Sequence, residues 1–417
     1  MSDTRILAVN TSSLFFIQIA NYILPVVLIP YLTHTLGLET FGIVAFGLAY
    51  IGFAVMVTDF GFDLYGPHVI AKQRGDNKFI KEFVGSVFIC KMILLVPVIL
   101  VTVLFSVTTR QFHDHSFFLL LLIIPIIGQT FQPVWFYQGI ERMTIITYLY
   151  LGNRILYVVM VLSLVKHAGD YTWVIISHGI AHLVGALLGF AILVCSGYGP
   201  KMPDRETLVR NFRGSSEYFY SRAAVAAYTT GGTLYLGFIT NPAQVALYSA
   251  AEQLYKAAQG LYGPLVQALY PFMSRKGDIK IFKRILVWSI VSTLLGGLVG
   301  IFAGRPILRL IFGPAFNASY GLFLVFLVIL CVNVPSVLLG YPLLGAMGHA
   351  RFVNKNVIVA GIIQVCMLAF LYCMGWARAG TVVVTVLVAE TAVLLLRVYK
   401  VRQCSLLKET VPTSSPG

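Results

Sequence analysis

The sequence predicts an all-α integral membrane protein of about twelve transmembrane helices, and three observations carry that prediction. Charged residues make up 11% of the chain, where soluble proteins carry roughly 25%. Hydrophobic residues make up 58%, with a mean hydropathy of +0.84. The apolar residues are also gathered into stretches long enough to cross a bilayer. So few charges in 417 residues could not cover a soluble surface without leaving large apolar patches.

A helix crossing the hydrocarbon core needs about 20 largely apolar residues and pairs its backbone polar groups internally. Twelve such stretches run over 6–31, 41–62, 83–106, 117–138, 145–165, 173–195, 214–237, 244–270, 285–303, 320–345, 356–374 and 379–396, with 244–270 the least apolar. The connections are short, and none holds a soluble domain or a low-complexity segment. The first stretch is preceded only by Arg5, is too long for a signal-peptide core and is followed by no A-x-A site, so it is expected to be retained.

The net charge of +14 would suggest nucleic acid in a soluble protein, and here it is a matter of topology. Loops on the N-terminal side of the membrane carry 21 of the 30 Lys and Arg residues, in clusters such as Lys72–Lys81, Lys201–Arg213 and Arg275–Arg284. The opposite loops carry five: Arg110, Lys166, Arg305, Arg309 and Arg378. The positive-inside rule then places both termini in the cytoplasm and makes nucleic-acid binding a poor reading.

Two sets of six spans suggest a parallel repeat. Leu64-Tyr65 near Pro67 corresponds to Leu269-Tyr270 beside Pro271, and Gly139 and Arg142 correspond to Gly348 and Arg351. The expected organisation is an N-terminal six-helix lobe over 1–200, a cytoplasmic connection over 201–213, a C-terminal lobe over 214–398 and a cytoplasmic tail over 399–417. Two pseudo-symmetric lobes around a central cavity suit alternating access.

Four cations remain inside the membrane: Lys91, Arg154, Arg222 and Lys256. Asp59, Asp63, Glu252 and Glu390 are the carboxylates at depth, with Glu217 at an entry. Each ionisable group costs at least about 2.5–3.5 kcal/mol at a helix centre, so it is expected to face a cavity or a partner. Tyr248, Glu252, Tyr255, Gln259 and Tyr262 fall on one helical face, with Lys256 at its margin. Tyr218, Arg222, Thr229 and Thr233 share a face of the preceding span, and Asn10, Gln18, Asn21 and Pro25 a sector of the first. These three spans could line one aqueous cavity, or the polar faces could pack between helices. Tyrosine faces and amides suit sugar rings, whereas Arg and Lys suit phosphate. Glu252 and Lys256 could also satisfy each other as an i, i+4 pair.

Other features point to structure. His178 and His182 lack an acidic third ligand, so no metal is expected. Gly296, Gly300 and Gly304 form a small-residue ridge for close packing. The six cysteines lie in spans, at their ends or in the tail, away from an oxidising compartment. Asn317-Ala-Ser is read as a chance sequon. No phosphate-binding loop, dinucleotide fingerprint or nucleophile elbow occurs, so no cofactor and no enzymatic activity are expected.

Several segments resemble Wzx-type O-antigen flippases: Phe41-Gly42, Asp59-Phe60-Gly61-Phe62, Trp135-Phe136-Tyr137-Gln138-Gly139-Ile140-Glu141-Arg142-Met143, Ser221-Arg222, Tyr248-Ser249-Ala250-Ala251-Glu252, Gln267-Ala268-Leu269-Tyr270-Pro271 and Leu344-Gly345-Ala346-Met347-Gly348. The resemblance covers nearly the whole chain. It implies the polysaccharide-transporter branch of the MATE-like superfamily and the transfer of undecaprenyl-diphosphate-linked oligosaccharide across the bacterial inner membrane for lipopolysaccharide biosynthesis. It also implies a coupling ion, H+ or Na+, and partners in the O-antigen polymerase and chain-length regulator.

On that basis Arg222, Arg154, Lys91 and Lys256 are the expected diphosphate-binding cations, and Tyr218, Tyr248, Tyr255, Gln259 and Tyr262 the sugar-facing stripe. Glu252, Asp59 and Asp63 are candidates for ion coupling or gating. The alternatives are a MATE-type drug/cation antiporter, whose cavity would favour acids, and a polytopic polymerase or glycosyltransferase. A polymerase would need a long outward loop carrying Arg. A glycosyltransferase would need an acidic constellation near a loop.

Overall fold

The computed structural model describes the backbone of residues 3–108 and 115–404, and the side chains from Val27 onward within those ranges except Ser221, Tyr228 and Thr229. Among the described residues the secondary structure is helical, without a strand. Among the described residues, eight stretches are long and apolar enough to cross a membrane. They take in the expected spans over 41–62, 83–106, 117–138, 145–165, 173–195, 285–303 and 379–396. The spans over 320–345 and 356–374 lie together in Pro314–Cys373. The spans expected over 214–237 and 244–270 are helical but are not among the eight. Glu217, Arg222 and a run of small and hydroxyl residues in one, and Glu252, Lys256 and several amides in the other, dilute their apolar content. The polar residues expected in the first span lie outside the described side chains.

The chain separates into two compact units. Unit 1 comprises Met1–Ala223 with Asn241–Ala243, and unit 2 comprises Ala224–Thr240 with Gln244–Gly417. In unit 1, helix α1 (Asp3–Asp59) is broken at Gly37 (φ 74°) and is followed by α2 (Phe62–Lys72), α3 (Asn77–Thr108) and the short α4 (Ser116–Leu121), α5 (Ile123–Thr130) and α6 (Val134–Gly139). Then come α7 (Met143–Leu164), α8 (Tyr171–Leu193) and α9 (Arg205–Thr229), which crosses the boundary between the units. Unit 2 continues with α10 (Gly231–Ile239), α11 (Pro242–Gly260), α12 (Gly263–Lys276), α13 (Ile279–Phe312), α14 (Tyr320–Leu338), α15 (Ala350–Cys373) and α16 (Ala379–Gln403).

Local devices recur from one unit to the other. Asp76 caps the start of α3 by accepting from Phe79 N at 2.9 Å, and Asp278 caps α13 by accepting from Ile281 N at 3.0 Å. A left-handed residue stands two positions before α7 (Glu141, φ 59°) and two before α15 (Gly348, φ 86°). The α1/α2 break at Phe60-Gly61 has its counterpart between α11 and α12 at Leu261-Tyr262.

The breaks have local causes. Gly61 has φ 83°, a region L side chains rarely adopt, and a Cβ there would come within 2.7 Å of Ser215 O and 2.8 Å of Phe219 N. Phe60, itself at φ 50°, is held between Phe212 and Phe219, each ring stacked at 4.5 Å. Gly61→Ala is therefore expected to destabilise unit 1 by about 1–3 kcal/mol, read as a lowered unfolding temperature in detergent. An unchanged midpoint would contradict this reading of the break.

Small residues let helices approach closely, as the sequence anticipates for α13. Gly300 and Gly304 face Leu327 and Phe323 of α14, with Cβ positions 2.8 Å from side-chain carbons. Gly296, expected on the same ridge, faces no atom within 4 Å, and Gly297 is buried in its place. The six cysteines are free thiols, and Cys90 is the buried one.

Candidate functional site

Unit 1 contains a cavity of about 390 Å³ whose lining includes Asp59, Asp63, Lys91, Arg154 and Arg222. The helices α1, α2, α3, α7 and α9 supply these five groups, so residues far apart in sequence meet in one volume. Gln129, Gln132, Asn153, His178 and His182 add polar walls.

The cations are not equivalent. Lys91 is 3% exposed; its Nζ donates to Asp59 Oδ1 at 2.8 Å and to Thr130 O at 3.2 Å. It is thus paired and largely enclosed. Arg222 is open, with 45% of its side chain exposed, and its Nη1 donates to Asp63 Oδ2 at 2.5 Å. Arg154 is half-buried on α7. Its Nη2 donates to the Tyr150 hydroxyl at 3.0 Å, and its guanidinium carbon stands 5.2 Å from the Tyr150 ring centroid. Among the described residues no carboxylate pairs with it. Asp63 N donates to Asp59 Oδ2 at 3.2 Å, which links the two carboxylates across the α1/α2 break.

The neutral wall depends on the close packing of α5, α7 and α8. A Cβ on Gly185 would collide with the Asn153 side chain, so glycine sets the α7–α8 separation. Gln132 Nε2 lies 3.0 Å from His182 Nδ1 and donates to His182 O at 3.2 Å. His178 and His182 stand edge to face at 4.6 Å. Among the described residues no group of three His, Cys, Asp or Glu side chains is placed to hold a metal. The sequence singled out both histidines only as an incomplete metal pair. Gln129, Gln132, Asn153 and Tyr150 carry no local signal that would have marked them.

The remaining expected residues lie elsewhere. Tyr218 is near the α1/α2 break, its ring 6.0 Å from Tyr65. Lys256 is in unit 2, where its Nζ pairs with Glu252 Oε2 at 3.0 Å; the same oxygen accepts from Thr233 at 3.1 Å. The tyrosine stripe turns largely into packing. Tyr248 is 1% exposed against Phe326 of α14, and Tyr255 stacks on that ring at 5.2 Å. Gln259 donates to Asn333, which donates to Glu390, at 2.9 and 3.0 Å. Tyr262 bonds Thr293 at 2.7 Å, and with Tyr255 it borders a second, mainly apolar cavity of about 390 Å³. The physical reason is that α14 presents its own aromatic and amide groups to this face. Thr229 lies outside the described side chains.

The Trp135–Met143 segment supports the site from behind. Trp135, Phe136 and Tyr137 are buried, and the Tyr137 hydroxyl donates to Gly189 O at 2.5 Å. Beyond them, Arg74 Nη2 pairs with Glu141 at 2.6 Å and its Nε donates to Gly139 O at 3.2 Å. Hydrogen bonding from Arg74 holds the Glu141 carboxyl below its ordinary range. Stability from the pair is therefore present above the ordinary carboxylate pKa and lost as pH falls through the lowered value. The pair is half exposed, so its worth is about 0.2–1 kcal/mol after solvent screening. Glu141→Gln is expected to flatten the acid limb of the stability–pH profile by that amount. A profile that keeps its full acid limb in the variant would dissociate the pair from it.

A helical protein with many apolar spans and polar groups enclosed among them is a multi-pass membrane protein. Comparison with solved structures defines its fold. The chain superposes on an inward-facing multidrug-resistance MATE family transporter of the MOP superfamily with a TM-score of 0.68 at 12% identity, covering 93% of this chain and 96% of that one. It superposes equally, at 0.68 and 12%, on the lipid II flippase MurJ in an inward closed conformation, covering 95% and 87%. The fold is MATE-like. Residues 7–276 match the family described as Polysaccharide biosynthesis protein, and the chain belongs to that family. It is 26% identical over 407 residues to the "Putative O-antigen transporter" of Escherichia coli (strain K12), covering 95% of this chain and 97% of that protein. A protein of the same name from Shigella dysenteriae is 22% identical over 399 residues, covering 94% and 99%.

Proposed function

We propose that this protein is a flippase for undecaprenyl-diphosphate-linked O-antigen oligosaccharides, moving them from the cytoplasmic to the outer leaflet of the bacterial inner membrane by alternating access. The carrying observation is the pair of guanidiniums in the unit 1 cavity: Arg154, with no carboxylate partner among the described residues, and Arg222, open to solvent. Moving a diphosphate through an apolar layer is opposed by desolvation, which fixed guanidiniums with planar donor forks offset. The MATE-like fold, the family and the names of the two relatives support the same reading. A cation antiporter would need carboxylates free to receive its substrate, and here Asp59 and Asp63 are each bound to a cation.

In this proposal Lys91 supports the site, while Arg222 and Arg154 bind phosphate. Asp63 is the coupling carboxylate, because ion or proton binding there would release Arg222 to the substrate. Polymerisation of the transferred unit would follow on the outer side, and both termini would be cytoplasmic. The decisive test is gene deletion followed by complementation. Lipid-linked units are expected to accumulate on the cytoplasmic side in the deletion strain and to clear when the gene is restored. Normal surface display without the gene would end the proposal.

A further inference from the structure

We infer that unit 2 carries a separate binding site for the phosphate head of a membrane lipid, at the membrane boundary opposite the basic loops, built on Arg305 and Arg309. After Arg284, α13 contains no charged residue until Arg305. At about 1.5 Å per residue that interval spans about 30 Å, the thickness of the hydrocarbon core. Arg305 therefore emerges at headgroup depth, and Arg309 follows one turn beyond. Positive residues are scarce on this side, yet two of the five lie on one helical turn.

The two arginines border a cavity of about 860 Å³ with Asn317, Tyr320 and Leu324. Its walls are built. Gly313 (φ 97°) and the turn Pro314–Ser319 fold the chain back so that Asn317 flanks α13. The Tyr320 hydroxyl donates to Ile301 O at 2.6 Å, and the Arg305 guanidinium carbon stands 4.8 Å from the fixed ring. Among the described residues no carboxylate lines the cavity, and no Asp or Glu occurs in the sequence between Asp278 and Glu390. Both guanidiniums are exposed, and nothing in the surrounding sequence neutralises them.

The face leading to them suits a lipid tail. Leu298, Phe302, Arg305 and Arg309 are spaced i, i+4, i+7, i+11 and share one side of α13. Leu298 and Phe302 are exposed apolar residues toward the membrane interior. An apolar track ending at two guanidiniums complements an anionic amphiphile, with each planar fork matched to phosphate oxygens. The shared chemistry is a phosphate ester on a hydrocarbon chain. It is met by an anionic phospholipid or by a lipid-linked diphosphate, and the inference goes beyond the transport reading and does not depend on it.

The test uses the full chain in detergent with three probes: phosphatidylglycerol, farnesyl diphosphate and inorganic pyrophosphate. Retention is measured by native mass spectrometry for the wild type and the Arg305→Ala/Arg309→Ala variant. The wild type is expected to hold a lipid probe about tenfold more tightly than the variant. The Arg305→Lys/Arg309→Lys variant should fall between them. Preference for phosphatidylglycerol would identify a phospholipid site, and preference for farnesyl diphosphate a carrier-lipid site; either supports the inference. Equal retention by wild type and double variant would overturn it, as would tailless pyrophosphate binding as tightly as farnesyl diphosphate. Should the double variant unfold early, Arg309→Ala alone keeps the Arg305–Tyr320 stack and serves as the comparison.

Discussion

Replacing Arg222 by alanine is expected to cut surface O-antigen severely while the protein stays folded in the membrane at wild-type abundance. The separation of these two readouts follows from exposure. Nearly half of the Arg222 side chain is open, so its loss removes little packing. Asp63 is left without its cation but is itself 38% exposed, so water can take over much of that role. Loss of a charge-assisted contact to a diphosphate costs about 1.5–3 kcal/mol. Because that contact is needed where the phosphates are least hydrated, transport should fall by one to two orders of magnitude at about 1.4 kcal/mol per tenfold. Arg222→Lys should restore part of the activity as a point charge. Ladder-like lipopolysaccharide banding of wild-type intensity from Arg222→Ala would remove this residue from the mechanism.

Lys91→Ala is expected to fail for the opposite reason. Lys91 and Asp59 form an enclosed pair at 2.8 Å, with side chains 4% and 16% exposed. Removing one partner of a buried pair costs about 3–5 kcal/mol because the other charge is stranded. The variant should therefore show reduced abundance and a lowered unfolding temperature in detergent. The Asp59→Asn/Lys91→Met double variant removes both charges and should recover most of that stability. A Lys91→Ala protein that unfolds normally yet transports nothing would instead class Lys91 with the substrate-binding cations.

These two outcomes mark where sequence reasoning reaches and where it stops. The helical membrane fold and most span positions were legible because they depend on composition and spacing along the chain. The cavity cations were also legible as candidates, since charge at membrane depth is costly wherever it falls. Their ranking was not, because it depends on partners distant in sequence. Lys91 finds Asp59 32 positions away and Arg222 finds Asp63 159 positions away, whereas Arg154 donates to Tyr150 on its own helix. The stripe from Tyr248 to Tyr262 shows the complementary limit. Periodicity identified a polar face correctly but could not say what meets it, and α14 meets it with Phe326 and Asn333. Gln132 and Asn153 were invisible for the same reason. A single buried amide has no period.

The interruption at Phe60-Gly61 has a mechanical consequence. Asp59 and Asp63 stand on opposite sides of a joint where helical geometry is already interrupted, so bending there sacrifices little regular hydrogen bonding. The segment beyond it, α2, is a lever of 11 residues, about 16 Å long, with Asp63 close to its fulcrum and Lys72 at its tip. A rotation of about 20°, the size of ordinary helix kinks, would carry the tip through about 6 Å while moving Asp63 by little more than 1 Å. That small stroke at the fulcrum is enough to make or break a contact of 2.5 Å with Arg222. One hinge would thus gear a large excursion at the tip of α2 to an on–off event at Arg222, the guanidinium proposed to bind phosphate.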